Sequence, residues 1–179
     1  MVEEYLERLT EIVASRYFGK FRGRVVDNQD PQKRGRLQVQ VPAIMADQAI
    51  WALPCVPMAN PDGSGFFSIP DVEANVWVEF EAGNLDFPIW VGCFWADDAV
   101  AAADAVPAVK FWRTKSFVLR IDDDAGELTI EKTDGGGKLT ISASEVAAEA
   151  SSVLQTAGAR KTKLSQASFD VLDGALTVV

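Results

Sequence analysis

The stretch Gly135-Gly136-Gly137-Lys138 is the first place where chemistry could sit. A glycine-rich turn before a lysine can cradle phosphate with backbone N–H groups, but it needs the G-x-x-x-x-G-K-[ST] spacing. Here Leu139 follows the lysine, so the phosphate reading is dismissed. A second candidate is the acidic run Asp122-Asp123-Asp124-Ala125-Gly126-Glu127, whose oxygens suit a hard cation. It lacks the calcium-loop spacing and reads as an acidic turn. A third is the basic set Lys20, Arg22, Arg24, Lys33, Arg34 and Arg36. It reads either as a surface for an anionic partner or as a solvated strand face and loop. Small barrels bind single nucleic-acid strands with such cations and aromatic platforms. Trp51, Trp77 and Trp90 lie in alternating runs and are expected in cores or subunit contacts instead.

The chain has no histidine and two cysteines. That excludes Ser-His-Asp and Cys-His catalysis and any His-ligated metal. Two cysteines alone do not make a tetrahedral zinc site. Cys55 and Cys93 sit in the apolar runs WALPCVP and WVGCFW and read as small buried hydrophobes. No carboxylate pair has a recognisable acid–base setting. No catalytic, cofactor or metal residue is therefore expected.

The elements around these residues belong to a folded protein. Hydrophobic residues make up 48% and charged residues 24% of 179, with a net charge of −9. That acidity disfavours nucleic acid, because phosphate contacts need clustered Lys and Arg. No apolar run approaches the ~20 residues of a membrane helix. The acidic start MVEEYLERLTEIV is unlike a signal or transit peptide, so synthesis and retention in the cytosol are expected.

Residues 1–17 predict a helix, with Val2, Tyr5, Leu6, Leu9, Ile12 and Val13 on one face. Glu3, Glu4 and Glu7 suit its N-terminal dipole. The helix either covers an open end of the next domain or docks on a partner subunit. Residues 18–95 change to a period of two. FGKFRGRVV, RLQVQVP, IWALPCVPM, FFSIP, NVWVEFE and FPIWVGCFW alternate with Gly/Pro/Asn/Asp clusters. Five or six short strands so spaced read as a small closed barrel or sandwich. Residues 96–108, rich in Ala and Asp, read as a linker.

From residue 109 to 179 the strands are thin and regular. Phe117, Leu128 and Leu139 are eleven apart, as are Leu119, Ile130 and Ile141. The Leu-Thr-Val pattern returns at Leu176, Thr177 and Val178. About 70 residues with so little apolar area would be marginal as a monomer. Three chains, each giving two or three apolar side chains per row, could enclose a shared core stacked like a solenoid.

Two segments carry a family resemblance: GKFRGRVVDNQDPQKRGRLQVQVP and WALPCVPMANPDGSGFFSIPDVEANVWVEFEAGNLDFPIWVGCFW. The Asn-x-Asp-Pro loop, the Gly-Arg-Leu-x-Val strand, the Gly-Phe-Phe-x-Ile-Pro run and Trp-Val-Gly-x-Phe-Trp fall in order. Over residues 18–95 the chain resembles the OB-fold domain of the baseplate central-spike family. That family includes phage baseplate assembly protein V and the valine-glycine repeat proteins of type VI secretion.

The resemblance implies a mainly β fold: a short N-terminal helix, an OB-fold barrel and an intertwined triple-stranded β-helix in a homotrimer. Phe117, Leu119, Leu128, Ile130, Leu139 and Ile141 would form the trimer core. It implies a structural spike that caps the inner tube of a contractile injection machine and punctures the target envelope. The expected partners are a baseplate hub at the barrel end and a PAAR-type tip protein on Leu176, Thr177, Val178 and Val179. The target membrane would be met only in passing. Assembly into a virion, an extracellular particle or a cell-anchored injector would follow synthesis in the bacterial cytoplasm.

Two departures matter. Some relatives carry a lysozyme-like insert, for which residues 96–108 leave no room. Others hold iron at a sharpened tip through histidines, which this chain lacks. The competing reading is an OB-fold binding module for nucleic acid or carbohydrate with a trimerising tail.

Overall fold

The computed structural model describes residues 2–172 and 175–178. The chain forms two compact units, Met1–Ala99 and Val100–Val179.

In the first unit, helix α1 (Val2–Ala14) carries its apolar residues on one side and buries none of them. Five strands follow: β1 (Phe21–Asp27), β2 (Leu37–Gln40), β3 (Ala49–Pro54), β4 (Asn75–Phe80) and β5 (Pro88–Cys93). They close a barrel in the order β1-β2-β3-β5-β4. Strands β3 and β5 pair in parallel, with Leu53 opposite Ile89, and β1 closes the ring on β4. A four-residue helix, α2 (Pro42–Met45), follows β2, with Pro42 in its first turn, where a missing N–H costs nothing. FFSIP is not a strand: residues 66–70 lie in the long β3–β4 connection, and Phe66 and Phe67 are exposed.

Alternation builds the barrel core. Val76, Val78 and Phe80 point inward from β4, and Leu37, Val39 and Val41 inward from β2 and its end. Val25, Ala52 and Trp90 complete it. Tyr17, Phe21 and Phe80 stack at one end, with ring centroids 5.7–6.4 Å apart. Gly23 lets β1 pass close over the core, because a Cβ there would meet Val78 Cγ2 at 3.0 Å and the Gln40 carbonyl at 3.1 Å. Gly35 needs φ +74°, and its carbonyl accepts the Trp90 indole N–H at 3.1 Å.

The second unit is two antiparallel meanders, in which each strand pairs with its neighbours in sequence. The first holds β6 (Val109–Arg113), β7 (Phe117–Asp122), β8 (Glu127–Lys132), β9 (Gly137–Ile141) and β10 (Val146–Ala150). The second holds β11 (Ser152–Ala157), β12 (Arg160–Ser165), β13 (Phe169–Val171) and β14 (Leu176–Val178). An intertwined β-helix is a property of several chains, and within one chain these strands form simple hairpins.

The pairing also revises the expected rows. Antiparallel register puts Leu119, Ile130 and Leu139 in one cross-strand row. Ile121, Leu128, Ile141 and Val146 form the next. Phe117 faces Lys132 rather than Leu128. Equal sequence spacing maps to stacked rows only if strands run in parallel, and hairpins reverse alternate strands. The segment from Val100 belongs to this unit and is pinned to it. Asp104 accepts hydrogen bonds from Arg113 Nη2 at 3.0 Å and Arg120 Nε at 3.2 Å.

Candidate assembly surfaces

The basic residues are mostly occupied within the barrel. Lys20 donates to Glu79, and Arg24 pairs with Glu73. The Arg22 guanidinium lies over Trp77 at 5.7 Å and over Phe94 at 5.4 Å. Those two rings are themselves 4.7 Å apart. Arg36 lies over Trp51 at 5.2 Å and donates from Nη2 to Asp30 at 2.7 Å. Lys33 and Arg34 sit exposed on the β1–β2 loop. Alternation alone does not reveal these pairings, but register does: Arg22 on β1 stands opposite Trp77 on β4.

Asp30 organises that loop. Its carboxylate accepts backbone N–H groups of Gln32, Arg34 and Arg36 at 2.9, 2.7 and 3.2 Å, besides the Arg36 side chain. The Arg36 hydrogen bond, aided by these amides, holds the Asp30 carboxyl well below the usual carboxylate range. The arrangement is a rigid turn with its acceptor already filled.

The other candidates resolve into turns. The glycine run is the β8–β9 hairpin, in which Asp134 accepts the Gly136 N–H at 2.9 Å and Lys132 Nζ at 2.8 Å. Strand β9 follows it directly, where a phosphate cradle needs a helix N-terminus. In the acidic run, Asp122 accepts the Ala125 N–H at 3.0 Å and pairs with Arg120, while Asp123 pairs with Lys110. Among the described residues, no three His, Cys, Asp or Glu side chains cluster to hold a metal. The cysteines differ from expectation: both are exposed. Cys55 follows β3, its N–H still donating to the Trp90 carbonyl at 2.9 Å, but alternation turns it outward between the inward Ala52 and Val56; Cys93 is the last residue of β5. The tryptophans split. Trp90 is in the core, whereas Trp51 and Trp77 are half-buried on the outer wall beneath arginines.

What the structure leaves exposed is apolar sheet. The side-chain alternation of a strand places Phe117, Leu119, Leu128, Ile130, Leu139 and Ile141 on one face of the five-stranded sheet, with Ile121, Val146 and Trp112. Most of this face is exposed. In the four-stranded sheet, Val153, Leu164, Phe169, Val171, Leu176 and Val178 share a face by the same rule. Leu176 and Val178 are exposed there. Val179 and the Thr177 side chain lie outside the described residues. Among the described residues, nine of the ten buried large apolar or alanine side chains belong to the barrel, and in the second unit Val118 alone joins them, at 4% exposure.

Residues 21–95, the barrel and its connections, match the type VI secretion system/phage-baseplate injector OB domain family. Over this segment the chain is similar to an injector OB domain. Comparison of the chain with curated proteins gives no match. The closed five-strand order is what an OB domain requires, and the match spans all five of its strands. The likeness covers the segment that holds the buried barrel core, and the apolar sheets follow it in sequence. No helix of the described residues is long and apolar enough to cross a membrane.

Proposed function

We propose that this protein is the structural central spike of a contractile injection machine. Three copies assemble, their injector OB domains as a collar and their C-terminal strands as an intertwined needle. Phe117, Leu119, Leu128, Ile130, Leu139 and Ile141 line the trimer core. A baseplate hub protein receives the collar end, and a PAAR-type tip protein caps Leu176 to Val179. The spike is made in the cytoplasm, joins a phage tail-like particle, and is driven through the target envelope when the sheath contracts. Its work is mechanical, so slow unfolding matters more than chemistry.

One observation carries the reading: a unit with strands β6 to β14 that has one buried apolar residue among its described residues. Each apolar side chain of such a sheet contributes roughly 1.5–3 kcal/mol once covered. Both sheets also have open edge strands, β6 and β10 in one and β11 and β14 in the other, a pairing template that proteins rarely leave bare. Further copies of the chain supply both cover and pairing. The nucleic-acid reading weakens, because Lys20, Arg24 and Arg36 already face carboxylates.

The test is the molar mass by light scattering, beside an unheated detergent gel. Three chain masses and a band that falls only on boiling support the spike. A monomer overturns it.

A further inference from the structure

Helix α1 has a seam that the barrel does not use. Val2, Leu6, Leu9 and Val13 recur at spacings of four, three and four, the a/d pattern of a coiled coil. With Leu6 at an a position, Tyr5 and Ile12 fall at g and widen the stripe to about 120°. All six apolar residues are exposed. The glutamates avoid this stripe: Glu4 and Glu11 fall at f, Glu7 at b, and Glu3 at an e position in the first turn.

The root of the helix is fixed. The Tyr17 N–H donates to the Gly83 carbonyl at 2.9 Å, and Phe18 packs beside Gly83. The helix thus leaves the barrel from a defined point with its seam uncovered.

We propose that α1 is a trimerisation helix: three copies pack as a parallel three-helix bundle with Val2, Leu6, Leu9 and Val13 in the seam. This rests on the three-copy reading above. A second and a third copy of this chain fit the stripe better than other occupants. A stripe spanning a, d and g is wider than a two-stranded seam; the a/d residues themselves divide, Leu6 with Val2 leaning to higher order and Val13 with Leu9 to two strands. No like charges meet across it, because g holds Tyr5 and Ile12 while the facing e position holds Thr10. An anionic membrane is disfavoured, since the polar face carries four glutamates and only Arg8 as cation. Thirteen residues alone make a marginal helix. Roots held together by a trimer raise the effective concentration into the millimolar range, which removes that obstacle.

The experiment uses the full chain carrying Cys55→Ser and Cys93→Ser, with either Leu9→Cys in the seam or Glu11→Cys outside it. Each is weighed by light scattering, oxidised with copper phenanthroline and run on a non-reducing gel. Three chain masses, a covalent two-chain band from Leu9→Cys and none from Glu11→Cys support the bundle. Three chain masses with equal bands, or no band, overturn the bundle and leave the trimer standing. One or two chain masses overturn both. Hydrogen exchange gives a second readout. Leu6→Asp/Leu9→Asp should strip protection from residues 2–14 while the mass stays at three chains; retained protection overturns the proposal.

Discussion

Leu119 and Ile130 stand directly opposite each other across the β7–β8 pair, and Leu139 continues their row. A carboxylate at the centre of that row would be desolvated wherever the face is covered. Ile130→Asp should therefore reduce the assembled mass to a single chain, whereas Glu131→Gln on the opposite face should leave it unchanged. Light scattering of both variants decides it. An Ile130→Asp trimer would show that the face is not the one covered.

Barrel stability should depend on side chains according to the wall they face. Leu37 is fully buried, so Leu37→Ala should cost about 2–5 kcal/mol. Arg22 stacks on the outer surface, and Arg22→Ala should cost about 0.5–1 kcal/mol. Urea titration of the two variants checks the contrast, and equal losses would contradict the inside–outside assignment.

Asp30 should make the barrel acid-sensitive. Its folded pKa is depressed, chiefly by Arg36. The stabilisation is fully present above the unfolded value of about 3.9 and is lost as pH falls through the lower folded value. Asp30→Asn should melt below the wild type at pH 6. The gap should narrow as pH drops below about 4. A pH-independent gap would assign the effect to shape alone.

A labelled single-stranded oligonucleotide at low salt should not bind. Binding that weakens steeply with added salt would restore the binding-module reading and show that Lys33 and Arg34 outweigh the surrounding acid.

The barrel was legible because its strands separate inside from outside sharply. Leu37, Val39 and Val41, then Val76, Val78 and Phe80, alternate without a break, and all are buried. The family resemblance over residues 18–95 agrees with the match at 21–95. The cysteines misled because an apolar run does not say which of its residues face outward or where the strand ends. The six candidate core residues share one face, yet their row partners were invisible, since spacing does not record strand direction. Asp104 was equally hidden. One acid in an Ala/Asp-rich stretch acquires meaning only when Arg113 and Arg120 arrive beside it from two strands. Whether other chains cover the exposed faces is a question for the assembly, and a single chain's sequence speaks to it only through what it leaves bare.

The meander has a consequence for how such a protein changes size. Every strand from β6 to β10, and again from β11 to β14, pairs with its sequence neighbour. A hairpin can be inserted or removed without rethreading any other strand. Each strand widens a sheet by ~4.8 Å in the hydrogen-bonding direction. The barrel has no such freedom, because β1 must reach β4 and β3 must reach β5 to close it. The reach of the C-terminal unit is thus a ruler graduated in strands, which a gene can lengthen or shorten one duplication at a time.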